Sequence, residues 1–159
     1  MDQTEVLRPE YAAWLERVRA TYEAVAYTCG YRLHDRELGR RVGAAVVVGL
    51  VRRPGVFRYQ GLPFSGRIAA LAEPLLAEAR EGRLPTGPEW SRLRVALARV
   101  PPDVQDVFVL SCVHGRDVAE FAADLGCDRD AANSRCDEAF RLMREIGQSA
   151  GSRLAESEG

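Results

Sequence analysis

The stretch from Val100 to Glu145, VPPDVQDVFVLSCVHGRDVAEFAADLGCDRDAANSRCDEAFRLMRE, decides the fold of this chain. Its apolar residues recur at helical spacing, and Gly115 and Gly126 interrupt the pattern. Glycine favours the position after a helix because it adopts a left-handed backbone without strain. The pattern therefore predicts three helices, at 103–113, at 118–125 and after residue 128, in the layout of a helix-turn-helix unit.

Acidic residues stand where the second and third of these helices are expected to begin. Asp117 and Asp128 can each accept a hydrogen bond from the unpaired backbone N–H groups of a first helical turn. The three helices are expected to bury one apolar face, formed by Val104, Val107, Phe108, Leu110, Cys112, Val118, Phe121, Ala122, Leu125, Ala132, Cys136, Ala139, Phe140 and Met143. The last helix of such a unit can enter a DNA groove, so its exposed residues are candidates for a binding site.

The first half of the chain also has helical periodicity. An amphipathic helix is predicted at 9–31, with a proline in its first turn and Gly30 at its end or at a bend. Asp35 is the expected N-cap of a second helix, at about 36–53. The run Val46–Val48 alone would also suit a strand, but the length of the pattern favours a helix.

A third helix is expected at 66–80, kinked or divided at Pro74 because proline removes a backbone donor. A short fourth helix is expected at 88–99. The segment EGRLPTGP before it has two prolines and two glycines, as linkers often do. The prediction is an all-α protein of two small helical domains, the second a helix-turn-helix domain, divided as 1–82, linker 83–88, 89–150 and a flexible tail at 151–159.

Composition and spacing argue against several classes of function. The four cysteines form no C-x-x-C pair, so no metal site is expected, and Cys127 and Cys136 are interpreted as small core residues. No nucleotide-binding loop, nucleophile motif or acid–histidine set occurs, so we expect neither an enzyme nor a bound cofactor. No apolar run is long enough to span a bilayer and no signal-peptide pattern occurs, which favours the cytoplasm.

Charge is unevenly distributed, and all 22 basic residues are arginines. Residues 1–85 contain thirteen arginines against ten acids, whereas residues 86–159 contain nine arginines against thirteen acids. A DNA-binding domain usually carries the positive charge of a protein. Here the predicted helix-turn-helix domain carries the negative charge.

The C-terminal stretch resembles the C-terminal domain of bacterial sigma factors of the extracytoplasmic-function type. The residues that carry the resemblance are Val100-Pro101-Pro102, Val107-Phe108-Val109-Leu110, Gly115, Glu120-Phe121-Ala122, Leu125-Gly126, Ser134-Arg135 and Met143-Arg144. The first half resembles the other domain of that family through Asp35, Arg52-Arg53-Pro54, Phe57 and a Gly-Leu-Pro-Phe turn. The resemblance implies a transcription factor that binds promoter DNA and the RNA polymerase core.

In the family, the final helix reads the upstream promoter element. The candidates for DNA binding that this implies are Arg129, Asn133, Ser134 and Arg135. Arg135 is equally well interpreted as a salt-bridge residue within the domain. Asp137 and Glu138 stand where the family often has basic residues, and a carboxylate repels phosphates, so DNA binding is expected to be weakened or lost.

In the family, the second helix grips RNA polymerase with acidic and amide side chains. The matching stretch here, GRRVGAA at 39–45, has neither. The arginines around it are candidates for binding an acidic partner or nucleic acid, with a solvated surface as the alternative: Arg36, Arg40, Arg41, Arg52, Arg53 and Arg58. Phe57, Tyr59 and Phe64 are interpreted as core anchors, with stacking on single-stranded bases as the alternative.

Two functions therefore remain open from the sequence. The first is a sigma-factor-like transcription regulator that binds promoter DNA, RNA polymerase or both. The second is a diverged relative that has lost normal DNA reading and acts through protein contacts, with polymerase, a sigma or anti-sigma factor, another regulator or a second copy of itself.

Overall fold

The computed structural model describes residues 7–52, 66–84 and 89–151. Regular structure in these ranges is entirely helical, which confirms the predicted all-α class. The helices in chain order are α1 (Pro9–Leu33), α2 (Arg36–Val51), α3 (Gly66–Arg80), α4 (Trp90–Ala98), α5 (Pro102–Phe108), α6 (Val118–Leu125) and α7 (Arg129–Gly151). Within the described ranges, no helix combines the length and the apolar composition that a bilayer crossing requires.

Helices α1 and α2 form a hairpin in which the two backbones approach closely. A Cβ added at Gly39 would lie 2.5 Å from the carbonyl oxygen of Ala26 and 2.5 Å from the Cα of Gly30. The alternative that α1 ends at Gly30 was wrong, because the helix continues to Leu33. A Cβ added at Gly30 would meet α2 only at 3.5 Å or more, which is ordinary contact, so the close approach depends on the missing side chain of Gly39.

Helix α2 is the central element of the fold. Nine of its sixteen residues are buried, and it packs against α1, α3, α4 and α7. The side chain of Asp35 accepts a hydrogen bond from the N–H of Leu38 at 3.1 Å, which confirms the predicted N-cap. The run Val46–Val48 is helical and buried, so the strand alternative is excluded. The helix ends at Val51, two residues before the predicted end.

Two of the later helices differ from their predictions in detail. Helix α3 is one element with Pro74 inside it, so the division into two pieces is excluded. The predicted helix at 103–113 is α-helical only to Phe108 and continues as a π-helical turn, Val109–Val113. The Ser111 hydroxyl donates to the Val107 carbonyl oxygen at 2.8 Å, so this backbone oxygen accepts a hydrogen bond from a side chain one turn later.

One hydrophobic core contains residues from both halves of the sequence. The ring of Trp14 in α1 lies 4.6 Å, between centroids, from the ring of Phe108 in α5. The Tyr11 hydroxyl donates to the carbonyl oxygen of Leu97 in α4 at 2.8 Å. Met143 of α7 is buried in the same core. Residues 85–88 of the predicted linker lie outside the described residues, and the division into two domains stays a prediction.

Candidate functional site

The predicted helix-turn-helix unit, which comprises α6, the turn at 126–128 and α7, is built by the local signals that the sequence contains. The N–H of Glu120 donates to Asp117 at 2.8 Å and its carboxylate accepts from the Asp117 N–H at 3.2 Å, which forms a capping box at the start of α6. Gly126 follows α6 with φ of +71°. The carboxylate of Asp128 then accepts from the N–H of Ala131 at 2.8 Å and caps α7. All three predicted helix-end signals are confirmed.

A small apolar cluster fixes α6 against α7. It contains Val107, Phe121, Ala122, Ala132 and Ala139, with Val104, Leu110, Val118, Leu125, Cys127 and Cys136 partly buried around it. Cys127 and Cys136 are half-buried and unbridged, as expected for small core residues. Burial raises the pKa of the Cys136 thiol, so it resists ionisation. The orientation of α7 is therefore set by packing on one face, and its other faces are left to solvent.

The four DNA-binding candidates all lie on the exposed part of the first two turns of α7. Successive helical residues are rotated by about 100°, so Arg129 and Asn133 are neighbours on one side of the helix. Ser134 lies at the centre of the exposed face, and Arg135 lies on the opposite side from Asn133. The structure therefore brings two of the candidates together and separates Arg135 from them.

The salt bridge within the domain that the sequence left open for Arg135 does not occur among the described residues. Arg135 is exposed and forms no ion pair with any residue that the structure describes. Arg141, by contrast, lies 3.9 Å from the carboxylate of Glu145. Arg135 is thus available to a partner, whereas Arg141 is paired with a neighbouring acid.

Negative charge dominates the exposed surface of the helix-turn-helix unit. Residues 115–145 contain five arginines and eight acids, and Arg116 is paired with Asp124 at 3.3 Å. Asp130, Asp137 and Glu138 are exposed on α7 and form no ion pair within the described ranges. A phosphate approaching this face would meet unpaired carboxylates, so the charge of the face opposes contact with nucleic acid.

The arginines of α2 do not form one continuous basic surface. Arg36 and Arg40 are exposed near the start of the helix, where Arg40 lies 3.6 Å from the carboxylate of Glu37. Arg41 is half-buried and donates to the carbonyl oxygen of Leu84 at 2.7 Å. Arg41 therefore holds the segment that follows α3 to α2, and it is not free to bind a partner.

Arg52 lies at the other end of α2. Its side-chain carbons pack over Gly147 of α7, where a Cβ would collide with the Arg52 Cγ. This contact uses the aliphatic stem of Arg52 to cover α7, as long basic side chains often do. The remaining two candidates in this set, Arg53 and Arg58, lie outside the described residues, as do Phe57, Tyr59 and Phe64.

The stretch that resembles the polymerase-gripping helix offers little surface. Gly39, Val42, Gly43 and Ala44 are buried, and only Arg40 within residues 39–45 is exposed. The face of α2 that carries the two glycines packs against α1. A side chain at Gly39 would collide with the α1 backbone, so this face is committed to the helix pair.

A groove that the sequence did not predict lies where α1 meets the start of α2. The α1–α2 groove has a volume of about 530 Å³ and is lined by Tyr22, Glu23, Ala26, Tyr27, Gly30, Tyr31, His34, Asp35, Arg36 and Arg40. Tyr27 is 78% exposed and Tyr31 75% exposed, although aromatic rings are usually largely buried. The signal was present in the sequence, because both tyrosines fall outside the apolar stripe of α1.

Tyr22, which is half-buried, also lines the α1–α2 groove. It stacks on the ring of Trp90 in α4, with 4.8 Å between centroids and 10° between planes. Burial raises the pKa of the Tyr22 phenol, and the positive charge of Arg40 opposes this rise only in part. Packing therefore holds the ring of Tyr22 in place, whereas the rings of Tyr27 and Tyr31 are exposed to solvent.

No group of three histidine, cysteine or acidic residues in the described part of the chain could hold a metal ion. Comparison with protein-family models, with curated proteins and with solved structures found no match to this chain. The candidate sites are therefore defined by their own geometry: the exposed turns of α7, and the α1–α2 groove.

Proposed function

We propose that this protein is a sigma-factor-like transcription regulator that acts in the cytoplasm during transcription initiation by binding promoter DNA, the RNA polymerase core or both. One observation carries the proposal: a capped helix-turn-helix unit whose last helix exposes, in its first two turns, every residue except the buried Ala132 and the half-buried Cys136. Arg129, Asn133, Ser134 and Arg135 are all exposed there. Helix-turn-helix proteins place these first turns of the last helix against the edges of the bases.

Arginine and asparagine side by side suit the reading of base edges. Arginine can donate two hydrogen bonds to guanine, and asparagine can donate to and accept from adenine. Arg129 and Asn133 lie one turn apart on the same side of α7, so both can reach one stretch of the groove. The three unpaired acids on the neighbouring face lower the affinity of this arrangement for DNA of any sequence.

Fluorescence anisotropy with a library of genomic DNA fragments tests DNA binding. We expect salt-dependent binding that Arg129→Ala weakens and that the matched control Arg94→Ala, an exposed arginine of α4, leaves unchanged. The double variant Asp137→Asn with Glu138→Gln should bind DNA more tightly, because it removes two negative charges beside the phosphates. An absence of binding at low salt by both the parent and this double variant would exclude a DNA-reading role.

A second function is favoured by the charge of the same surface: regulation through protein contacts. Three unpaired carboxylates on α7, Asp130, Asp137 and Glu138, suit a basic protein surface better than a nucleic acid. The partner classes in this proposal are polymerase, a sigma factor, an anti-sigma factor, another regulator or a second copy of the chain.

Affinity purification from the source cells separates the two functions. Recovery of core polymerase subunits with the tagged protein supports the first proposal, and its loss in Arg40→Ala would assign the contact to α2. Recovery of a regulator without polymerase supports the second proposal. In that case Asp137→Asn with Glu138→Gln should release the regulator, whereas Glu16→Gln, a change in an exposed acid of α1, should not.

A further inference from the structure

The exposed tyrosines of α1 form a distinct surface. Tyr27 and Tyr31 are spaced four residues apart and therefore point the same way from the helix. Within the described residues, the only other large hydrophobic side chain classed as exposed is Val95, at 39%, about half the exposure of either tyrosine. Tyrosine and arginine are the residues most enriched among the side chains that dominate binding at protein interfaces. The α1–α2 groove contains both.

The charges around these tyrosines favour a protein and not a nucleic acid. Arg36 and Arg40 lie on the α2 side of the groove, and Glu23 and Asp35 are also among its lining residues. A surface that binds single strands combines aromatic rings with a positively charged track, which this mixture of signs does not provide. Arg36 forms no ion pair with a described residue, so its charge is available to an acidic side chain of a partner.

The chain itself presents a side-chain pattern that complements this groove. Glu23 lies one turn before Tyr27 on α1, and both are exposed. The carboxylate of Glu23 accepts from Arg19 at 2.8 Å, which holds it on the outer surface of the helix. A partner that offers an aromatic ring preceded by a carboxylate one turn earlier would place the ring against Tyr31 and the acid against Arg36 and Arg40.

We propose that the α1–α2 groove is the interface of a symmetric dimer, in which the occupant is a second copy of this chain. A two-fold axis brings the same patch of both copies together, so every contact occurs twice. Tyr27 of each copy enters the groove of the other, and Glu23 of each copy meets Arg36 and Arg40 of the other. This inference does not rest on the proposed role in transcription.

The size of the surface sets the expected affinity. An aromatic side chain can bury roughly 150–250 Å², so two tyrosines from each copy supply roughly 600–1,000 Å², which is below the roughly 1,200 Å² under which interfaces are weak or transient. The charged residues at the rim add area but little free energy. We therefore expect a dimer with a dissociation constant on the order of 10 μM, in reversible equilibrium with the monomer.

Sedimentation velocity of the full chain, at concentrations from about 1 to 500 μM, tests the proposal. We expect a concentration-dependent shift from monomer to dimer. Tyr27→Ala should raise the dissociation constant at least tenfold, as the loss of a central interface aromatic does. The matched control Val95→Ala changes the other exposed apolar side chain, on α4, and should leave the equilibrium unchanged. A monomer over the whole range would overturn the proposal.

A charge exchange gives a sharper test. Glu23→Arg in one variant, and Arg36→Glu with Arg40→Glu in a second, should each be monomeric, because like charges then face each other across the two-fold axis. Mixing the two variants should restore a dimer, since every contact again joins opposite charges. Circular dichroism verifies that both variants fold, which is expected because all three residues are exposed.

Three results of the mixing experiment would overturn the proposal. The first is a dimer that both variants form alone, which would place the interface elsewhere. The second is a folded mixture that stays monomeric at the concentration where the parent dimerises. The third is a monomeric parent in which single-stranded oligonucleotides quench tyrosine fluorescence and Tyr27→Ala abolishes the effect, which would assign the groove to nucleic acid.

Discussion

The contact between α1 and α2 predicts that alanine will have opposite effects at two glycines of the same helix. An alanine at Gly39 would place its Cβ 2.5 Å from three backbone atoms of α1, a separation that real Cβ atoms essentially never show. Backbone cannot rotate away as a flexible side chain can, so the two helices must separate by about 0.5 Å or more to reach an allowed contact. At Gly49, no atom lies within 4 Å of the added Cβ.

The expected free energies follow from these two environments. Replacing glycine by alanine inside a helix stabilises the fold by up to about 1 kcal/mol, and this gain applies at both positions. At Gly39 the overpacking opposes it by up to about 3 kcal/mol, which leaves a net loss of roughly 2 kcal/mol. Gly43→Ala should lie between the two, because its nearest contact is 3.1 Å.

Urea unfolding followed by circular dichroism measures the three variants. With a slope of about 2 kcal/mol per molar urea, the midpoint should fall by roughly 1 M for Gly39→Ala and rise by roughly 0.4 M for Gly49→Ala. The order of stability matters more than the values: Gly49→Ala, then Gly43→Ala, then Gly39→Ala. A Gly39→Ala variant as stable as the parent protein would refute the close helix contact, and with it the packing of Gly39 and Gly43 against α1.

Three further outcomes follow from the core and the helix caps. Because Trp14 and Phe108 share one core, tryptophan fluorescence and circular dichroism should report a single, coincident unfolding transition. Phe108→Ala should lower the free energy of unfolding by about 3–5 kcal/mol. Two separate transitions would contradict a shared core. Asp117→Ala should reduce the free energy of unfolding by about 1 kcal/mol, whereas Asp130→Ala, which removes an acid that caps no helix, should change it by less than half of that. Burial raises the pKa of the Tyr11 phenol. The stability that the protonated phenol contributes is therefore present below about pH 10 and declines above it. Because Tyr11→Phe has no phenol to ionise, its urea midpoint should fall less steeply between pH 10 and pH 11 than that of the parent.

The sequence was most informative where a signal is local. Caps such as Asp35, Asp117 and Asp128 and the turn at Gly126 depend on a few neighbouring residues, and all were predictable. Close approach of two helices depends on residues distant in sequence, so Gly30 was interpreted as a helix end or a bend, and its contact with Gly39 was not predicted. Local patterns also cannot show which arginine finds a partner: the bond from Arg41 to the Leu84 carbonyl joins residues 43 positions apart.

The same distinction applies to the candidate sites. The exposure of α7 was predictable because helical periodicity gives its buried face, and the remaining residues must face solvent. The α1–α2 groove was not, because its lining comes from two helices and from the turn between them. Its sequence signal, two tyrosines outside the apolar stripe of α1, is specific only once the position of α2 is known.

One side chain links the proposed dimer to the proposed polymerase contact. Arg40 is the exposed residue of the stretch that resembles the polymerase-gripping helix, and it also lines the α1–α2 groove. If both proposals hold, the two partners compete for the same surface, so dimer formation would withhold the protein from polymerase. Polymerase capture per monomer should then fall as the protein concentration passes the dimer dissociation constant, and Tyr27→Ala should remove that fall. Capture that stays proportional to total protein, in a chain shown to dimerise through the groove, would mean that polymerase binds elsewhere.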